Sequence, residues 1–166
     1  NIITSTSTLF CGANVNLPPP DELTDNCLGV TYTTSPASGS YFSAGTTTVI
    51  YTATDASGNV KTDTMTVTVV DNVPPIIGCG NVTLNTLPGV CYNDVNTLSY
   101  VSFSDNCSAV SITANPTTLR IYAGETFAVE YKAIDASGNQ STCNGSVTVI
   151  DTEKPTIKCI SYITEF

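Results

Sequence analysis

The sequence predicts an all-β protein built from tandem two-sheet sandwich domains, and three observations carry that prediction. The composition is rich in Thr and Val, with 41% hydrophobic and only 11% charged residues, which favours strands. No amphipathic window of helical period extends beyond about two turns. The pentapeptide Asp-Ala-Ser-Gly-Asn occurs at 55–59 and again at 135–139, each time between two alternating apolar runs. These residues are typical of a tight turn between strands.

The chain repeats itself with a period of 80 residues. Asp25-Asn26-Cys27 recurs as Asp105-Asn106-Cys107, and the two pentapeptides have the same spacing. A period this long exceeds that of solenoid repeats and indicates separate domains. We therefore expect a first repeat with a truncated opening strand over 1–72, a second over 73–152, and the opening strand of a third over 153–166.

Strands of the second repeat follow from alternation and turn residues. They are predicted at 81–86, 90–97, 110–114, 120–122, 126–134 and 141–150. Within 126–134, Val129, Tyr131 and Ala133 share one face and are expected in the core. Short strands joined by Gly, Pro and Asn turns are typical of a sandwich. A sandwich of this size buries only about 60–65% of its unfolded surface, so it gains from disulfides.

Charge and composition exclude several functional classes. The net charge is −9, which argues against a nucleic-acid partner, because phosphate binding needs a basic surface. No run of 18 apolar residues exists, so direct membrane insertion is not expected. The chain has no His, so a Ser-His or Cys-His couple is impossible. We expect no catalytic residues, and the protein is not predicted to be an enzyme.

Seven cysteines without Cys-x-x-Cys spacing indicate disulfides and therefore an extracellular location. The second repeat has four, whereas the first keeps only the second and third of these. Pairing second with third, and first with fourth, leaves no cysteine of the two repeats alone. The predicted bonds are Cys11–Cys27, Cys91–Cys107 and Cys79–Cys143. Cys159 then has no partner within the chain. The alternative pairs first with third and second with fourth, and it leaves Cys11 unpaired.

Together these motifs resemble the hyalin repeat, or HYR, domain. The resemblance rests on Pro-Pro-x-Ile-x-Cys at 74–79, Asp-Asn-Cys at 105–107, and the run from Gly45 to Asn59. It implies two tandem immunoglobulin-like β-sandwiches, with no enzymatic site to carry over. Family members that keep only the first and fourth cysteines fit the proposed pairing. The sequence departs from the family in lacking the fourth cysteine in the first repeat, and in having no Pro after Cys79 and Cys159.

The resemblance implies a cell-surface function in adhesion. HYR domains occur in extracellular adhesive proteins of animals and in long bacterial adhesins, and the Thr-rich style resembles the gliding-motility adhesins of Bacteroidetes. We expect a structural and adhesive spacer whose partners are neighbouring repeats, extracellular surfaces or polysaccharide. The alternative is a filament subunit whose C-terminal strand completes the first repeat of an identical neighbour.

Acidic residues around the linker predict a calcium site. Asp71 and Asn72 end the first repeat, and Asp105 and Asp135 are expected in loops at the near pole of the second. Three carboxylates and an amide carbonyl are oxygen ligands of the kind that calcium prefers. The competing interpretation is that each Asp only caps its own turn. No other cofactor is expected.

Glycosylation motifs are weak signals in a chain this rich in Asn, Ser and Thr. Asn81 and Asn144 match the N-glycosylation pattern. Thr64, in Asp63-Thr64-Met65, resembles the O-glycosylation site of Bacteroidetes surface proteins. These three residues are retained as candidate modification sites.

Overall fold

The computed structural model describes residues 1–107 and 110–159 and shows an all-β protein, as predicted. Among these residues no α-helix occurs, and one 3-10 turn spans Thr97–Tyr100. The strands are β1 Ile2–Ser5, β2 Gly12–Asn14, β3 Thr31–Ser35, β4 Tyr41–Ser43, β5 Gly45–Thr54, β6 Val60–Val70, β7 Ile76–Cys79, β8 Asn81–Asn85, β9 Tyr92–Asn96, β10 Val101–Ser104, β11 Ser111–Asn115, β12 Thr118–Tyr122, β13 Thr126–Ile134 and β14 Gln140–Ile150.

The chain forms two compact units, neither of which is one continuous segment. Unit 1 contains residues 1–76 together with 103–111 and 133–141. Unit 2 contains 77–102, 112–132 and the described residues from 142 onward. The two short segments of unit 1 belong by sequence to the second repeat. The repeat boundaries at 72 and 152 remain a prediction about sequence modules.

Unit 1 has a four-stranded sheet in the order β1-β6-β5-β3 and a two-stranded sheet, β2-β4. β5 and β6 form a long antiparallel hairpin closed by the pentapeptide turn, and β1 adds to β6 in parallel. The core lies between these sheets because both contribute inward apolar side chains. Its buried members are Val15, Phe42, Val49, Val67 and Val69.

In unit 2 the β11-β13-β14-β8 sheet packs against the β12-β9 pair in the same way. β8 runs parallel to β14, as β1 runs parallel to β6. The buried core contains Val95, Ile121, Val129, Tyr131, Val147 and Val149. β13 matches the predicted 126–134 strand, and its predicted inward residues are buried. A two-stranded pair, β10-β7, has no counterpart in the predicted strand list.

Residues 153–159 have no regular secondary structure, and the rest of the predicted third-repeat strand lies outside the described residues. Within the described part of the chain, no helix has the length and apolar character needed to cross a membrane.

Candidate functional site

The two pentapeptide turns have the same local structure. In the second, Asp135 Oδ1 accepts hydrogen bonds from the backbone N–H groups of Ser137 (2.9 Å) and Asn139 (2.8 Å). Asp55 accepts the equivalent bonds at 2.8 Å each. Gly58 and Gly138 take φ values of 88° and 89°, which a residue with a Cβ rarely adopts. The repetition of this motif is therefore explained by turn geometry.

Burial distinguishes the two turns. Asp135 is 6% exposed, whereas Asp55 is only half-buried. Burial raises the pKa of the Asp135 carboxyl, but hydrogen bonds from Asn139, Ser137 and Gly138 outweigh it and hold the pKa below its usual range. Donated hydrogen bonds, chiefly from Asn59 Nδ2, hold the pKa of the Asp55 carboxyl below its usual range. The turn thus holds an ionised carboxylate, and only Asp135 presents it in a buried setting.

Asp71 lies against the Asp135 turn within unit 1. It is 7% exposed, and its Oδ1 accepts from Thr6 Oγ1 at 3.1 Å. Its Oδ2 accepts from Ser137 Oγ at 3.3 Å, and its carbonyl oxygen accepts from Asn139 Nδ2 at 3.2 Å. The end of β6 is therefore hydrogen-bonded both to the β1–β2 loop and to the Asp135 turn.

The third carboxylate belongs to the loop after β10. Asp105 Oδ1 accepts from the backbone N–H of Cys107 at 2.9 Å, which closes a local turn. Asp25 makes the same contact with Cys27 at 3.0 Å in the first repeat. The neighbouring Asn106 donates through Nδ2 to Thr6 Oγ1 (3.2 Å) and to the carbonyl of Ser7 (3.1 Å). The loop is thereby fixed to the residues that follow β1.

Carboxylate oxygens of Asp71, Asp105 and Asp135 lie within 4.8 Å of one another. At an effective dielectric of 20, each such pair of charges repels by about 3–4 kcal/mol. Two oxygens, Asp105 Oδ2 and Asn106 Oδ1, are buried without a hydrogen-bond partner among the described residues. Buried polar atoms normally have partners, so an oxygen-only group with unsatisfied acceptors fits a hard cation such as calcium.

Sequence reasoning placed Asn72 in this cluster, and the structure places its side chain elsewhere. Asn72 is exposed and donates through Nδ2 to Ser5 Oγ at 3.1 Å. The amide whose buried oxygen has no partner among the described residues is Asn106, which the sequence places beside Asp105 but which was not among the predicted ligands. The position of Asn106 inside the repeated motif was the signal that could have identified it.

The structure contradicts two of the predicted disulfides. Cys11 is bonded to Cys107, with Cα atoms 4.5 Å apart, so neither Cys11–Cys27 nor Cys91–Cys107 forms. Cys79 is bonded to Cys143, the pair that the repeat comparison assigned. Among the described residues, free thiols are exposed at Cys27, Cys91 and Cys159.

The error in the pairing has a physical reason. Comparison of the repeats correctly indicates that a second-position cysteine pairs with a third-position one, but it cannot tell which copy supplies each partner. In unit 1 the bonds from Asn106 hold its loop against Thr6 and Ser7, and this brings Cys107 to Cys11. The Cys27 loop lies at another part of unit 1, beside Asp55 and Asn59.

The candidate glycosylation residues are accessible. Asn81, Asn144 and Thr64 are all exposed. Asn81 lies in β8, where its Oδ1 accepts from Ser146 Oγ at 2.8 Å. Accessibility is necessary for modification, and these sites remain predictions.

An open groove in unit 1, with a volume of about 1040 Å³, passes the Pro18–Thr24 loop. Tyr32 and Tyr51 line it, with ring centroids 6.2 Å apart and planes 17° from parallel. The Tyr51 hydroxyl donates to the carbonyl of Pro18 at 2.8 Å, which holds the loop in place. The groove contains the acidic pair Asp21 and Glu22, whose position on an open loop fits solvation better than catalysis.

Residues 17–69 match the model of the HYR domain. Hyalin of Lytechinus variegatus is 31% identical over 165 residues, covering 90% of this chain and 29% of that protein. Hyalin of Strongylocentrotus purpuratus is 34% identical over 139 residues, covering 76% and 11%. The chain therefore spans less than a third of the length of either relative.

Among solved structures, the extracellular cadherin domains 1–4 of protocadherin gamma B7 match with a TM-score of 0.39 and 16% identity. That alignment covers 90% of this chain and 49% of the other. The two disulfides place the protein outside the cell, because such bonds persist in oxidising environments. The comparisons therefore show an HYR domain at residues 17–69 and similarity to hyalin over most of the chain.

Proposed function

We propose that the chain is an adhesion-related spacer: two tandem HYR repeats of a long extracellular cell-surface protein, with no catalytic role. The observation that carries this is the fixed connection between the repeats. Residues of both sequence repeats share the Asp71 cluster and the Cys11–Cys107 bond. A spacer transmits force and keeps its reach only when its linkers resist bending, and bonds on both sides of Asp71 provide that resistance.

We further propose that calcium binds at this linker cluster, defined as Asp71, Asp105, Asn106 and Asp135. Each residue offers an oxygen, and Asp105 Oδ2 and Asn106 Oδ1 have no hydrogen-bond partner within 1–107 and 110–159. Bound calcium would offset the repulsion among three carboxylates and take the place of the missing hydrogen bonds. Calcium accepts six to eight oxygen ligands, so backbone carbonyls or waters would complete the shell.

Thermal unfolding in calcium and in chelator tests this site. A ligand at 100 times its Kd stabilises the folded state by about 2.7 kcal/mol. In a chain of this size that corresponds to a rise in Tm of roughly 5–10 °C. The Asp105→Asn variant is expected to lose the rise, because it removes one charge and one calcium-binding oxygen. In chelator its Tm should equal or exceed that of the wild type, since the repulsion is relieved.

The matched control is Asp25→Asn in the first repeat. Asp25 closes the same local turn as Asp105 but belongs to no cluster of three carboxylates among the described residues. Its variant should keep the full calcium response. An identical Tm in calcium and in chelator for the wild type would reject the calcium site. If both variants lost the calcium-induced rise in Tm equally, Asp105 would act only through its turn.

The second candidate function is assembly of identical chains into a filament. Exposed thiols at Cys27 and Cys91 favour it, because the equivalent cysteines Cys107 and Cys11 are bonded. In the spacer function the partners are neighbouring repeats, with extracellular surfaces or polysaccharide as adhesion targets. In the filament the partners are second copies of the chain.

A further inference from the structure

The Cys11–Cys107 contact in unit 1 joins two distinct surfaces. The receiving face is the group Thr6, Ser7, Cys11 and Asp71 around the β1–β2 loop. The loop face consists of Asp105, Asn106, Cys107, Asp135, Ser137 and Asn139. Four hydrogen bonds and one disulfide connect the two faces.

Each face has a copy elsewhere in the chain. The receiving face recurs in unit 2 as Thr86, Leu87, Cys91 and Asp151. Its backbone is the same: Thr86 N–H donates to Ile150 as Thr6 N–H donates to Val70, both at 3.0 Å. The bond from Leu87 N–H to Tyr92 (2.8 Å) repeats that from Ser7 N–H to Gly12 (3.0 Å), so the cysteine loop closes identically.

The loop face recurs in unit 1 as Asp25, Asn26, Cys27, Asp55, Ser57 and Asn59. Both of its turns form as they do in the first copy. Asp25, Asp55 and Asn59 line one shallow pocket, which shows that the two loops lie side by side. All the chemical groups that contact the receiving face in unit 1 are therefore present and correctly folded.

Several residues of these second copies are exposed, although Thr86, like Thr6, is only 8% exposed and the N–H of Gly89 donates to the Glu153 carboxylate. Cys27, Cys91 and Asp151 are exposed, whereas Asp71 is buried in the equivalent position. Leu28, beside Cys27, is 98% exposed, and Leu87, beside Thr86, is 39% exposed. The corresponding residues of the first pair of faces are serines, Ser108 and Ser7 in the sequence. An apolar pair at this place gains by being removed from water.

We propose that the Cys91 face of one chain docks the Cys27 face of a second copy, with a Cys91–Cys27 disulfide closing the contact. The interface is heterologous, so each added chain presents the same two faces again, and the assembly either grows as a filament or closes into a ring. This inference deepens the filament candidate. It assigns the contact to loop faces and a disulfide, where the sequence suggested strand complementation.

The covalent step requires an oxidant, and a small-molecule disulfide such as oxidised glutathione supplies it. The Cys27 thiolate attacks one glutathione sulfur and releases a glutathione thiolate. The Cys91 thiolate of the second chain then attacks Cys27 Sγ and releases the other. Two protein thiols lose two protons and two electrons, and one glutathione disulfide becomes two thiols.

Mixing complementary cysteine variants in oxidised glutathione tests the pairing. All proteins carry Cys159→Ser, which removes the third exposed thiol. One partner also carries Cys27→Ser and the other Cys91→Ser. We expect a heterodimer joined through Cys91 and Cys27, identified by non-reducing mass spectrometry, in clear excess over both homodimers. Cys159→Ser alone should form a ladder of masses in steps of the 17.3 kDa chain.

A second measurement separates a specific interface from collision of exposed thiols. Asn26→Ala removes the amide that copies the bonds of Asn106 to Thr6 and Ser7. It is expected to slow heterodimer formation about fivefold, the effect of losing roughly 1 kcal/mol of hydrogen bonding. The proposal would be overturned if heterodimer and homodimers formed in the proportions expected from random collision, or if no dimer formed. It would also be overturned if Asn26→Ala left the rate of heterodimer formation unchanged. The melting response to calcium is independent of Cys27 and Cys91, so it tests the spacer function separately.

Discussion

Replacing Cys11 and Cys107 together with alanine is expected to lower the free energy of unfolding of unit 1 by about 4–5 kcal/mol. The bond spans 96 residues. Chain-entropy arguments assign about 4.7 kcal/mol to a loop of that length. Removing the bond frees the unfolded chain, and it also releases the Asn106 loop from Thr6. Urea unfolding of the oxidised proteins, followed by circular dichroism, measures the change.

The control for this prediction is Cys27→Ala with Cys91→Ala. Both thiols are exposed, so the double variant should change the free energy of unfolding by less than about 0.5 kcal/mol. The pairing inferred from repeat comparison makes a different forecast. It closes two short loops, so the control variant would lose about 3 kcal/mol for each broken bond. A large loss in the control would therefore reinstate Cys11–Cys27 and Cys91–Cys107.

Tyr131→Ala is expected to cost about 3–5 kcal/mol of folding free energy, the range for truncating a buried aromatic side chain. Tyr131 is 2% exposed in the unit 2 core between β13, β14 and the β12-β9 pair. Its hydroxyl donates to the carbonyl of Thr97 at 3.0 Å, and Thr97 is itself fully buried. Alanine leaves both a cavity and an unpaired carbonyl. Equilibrium unfolding in urea measures the loss.

Tyr131→Phe separates the hydroxyl from the ring. It keeps the packing and leaves the Thr97 carbonyl without this donor, so a loss of about 1–3 kcal/mol is expected. Tyr51→Phe is the matched variant in unit 1, where the hydroxyl donates to Pro18 in an exposed setting. There water replaces the lost bond, and the loss should remain below about 1 kcal/mol. Equal losses at the two positions would contradict this account of burial.

The sequence predicted the fold class and most strands of the second repeat. The predicted 126–134 strand has the observed bounds, and the 141–150 strand begins one residue late. β7 and β10 were missed because each has only four residues, which is too few to show a clear alternation of apolar and polar side chains. Val49, Tyr51 and Ala53 repeat the pattern of Val129, Tyr131 and Ala133, yet only Val49 of that first set is buried.

The candidate site was also predicted only in part, because the sequence indicates which turns lie close together but not where each side chain points. Asp71, Asp105 and Asp135 were grouped in advance because the repeat places their turns near one pole of the domain. Asn72 was included because it is adjacent to Asp71, but its side chain hydrogen-bonds to Ser5. Side-chain direction at a strand end depends on what packs beside it, so adjacency in sequence was a poor guide.

Short-range patterns in the sequence were sufficient to predict the local structure of each repeat. The pentapeptide turns and the alternation of core residues follow from backbone geometry and can be recognised in a few consecutive residues, and the 80-residue period follows from the recurrence of such short motifs. Tertiary structure alone decided which copy supplies each partner. Asp55 and Asp135 lie in identical pentapeptides, yet only Asp135 is buried beside Asp71. Cys27 and Cys107 occupy the same position of their repeats, so either could pair with Cys11. Packing of the Asn106 loop against Thr6 brings Cys107 to Cys11. Repeated residues share the same local conformation, so only contacts between distant segments can distinguish them.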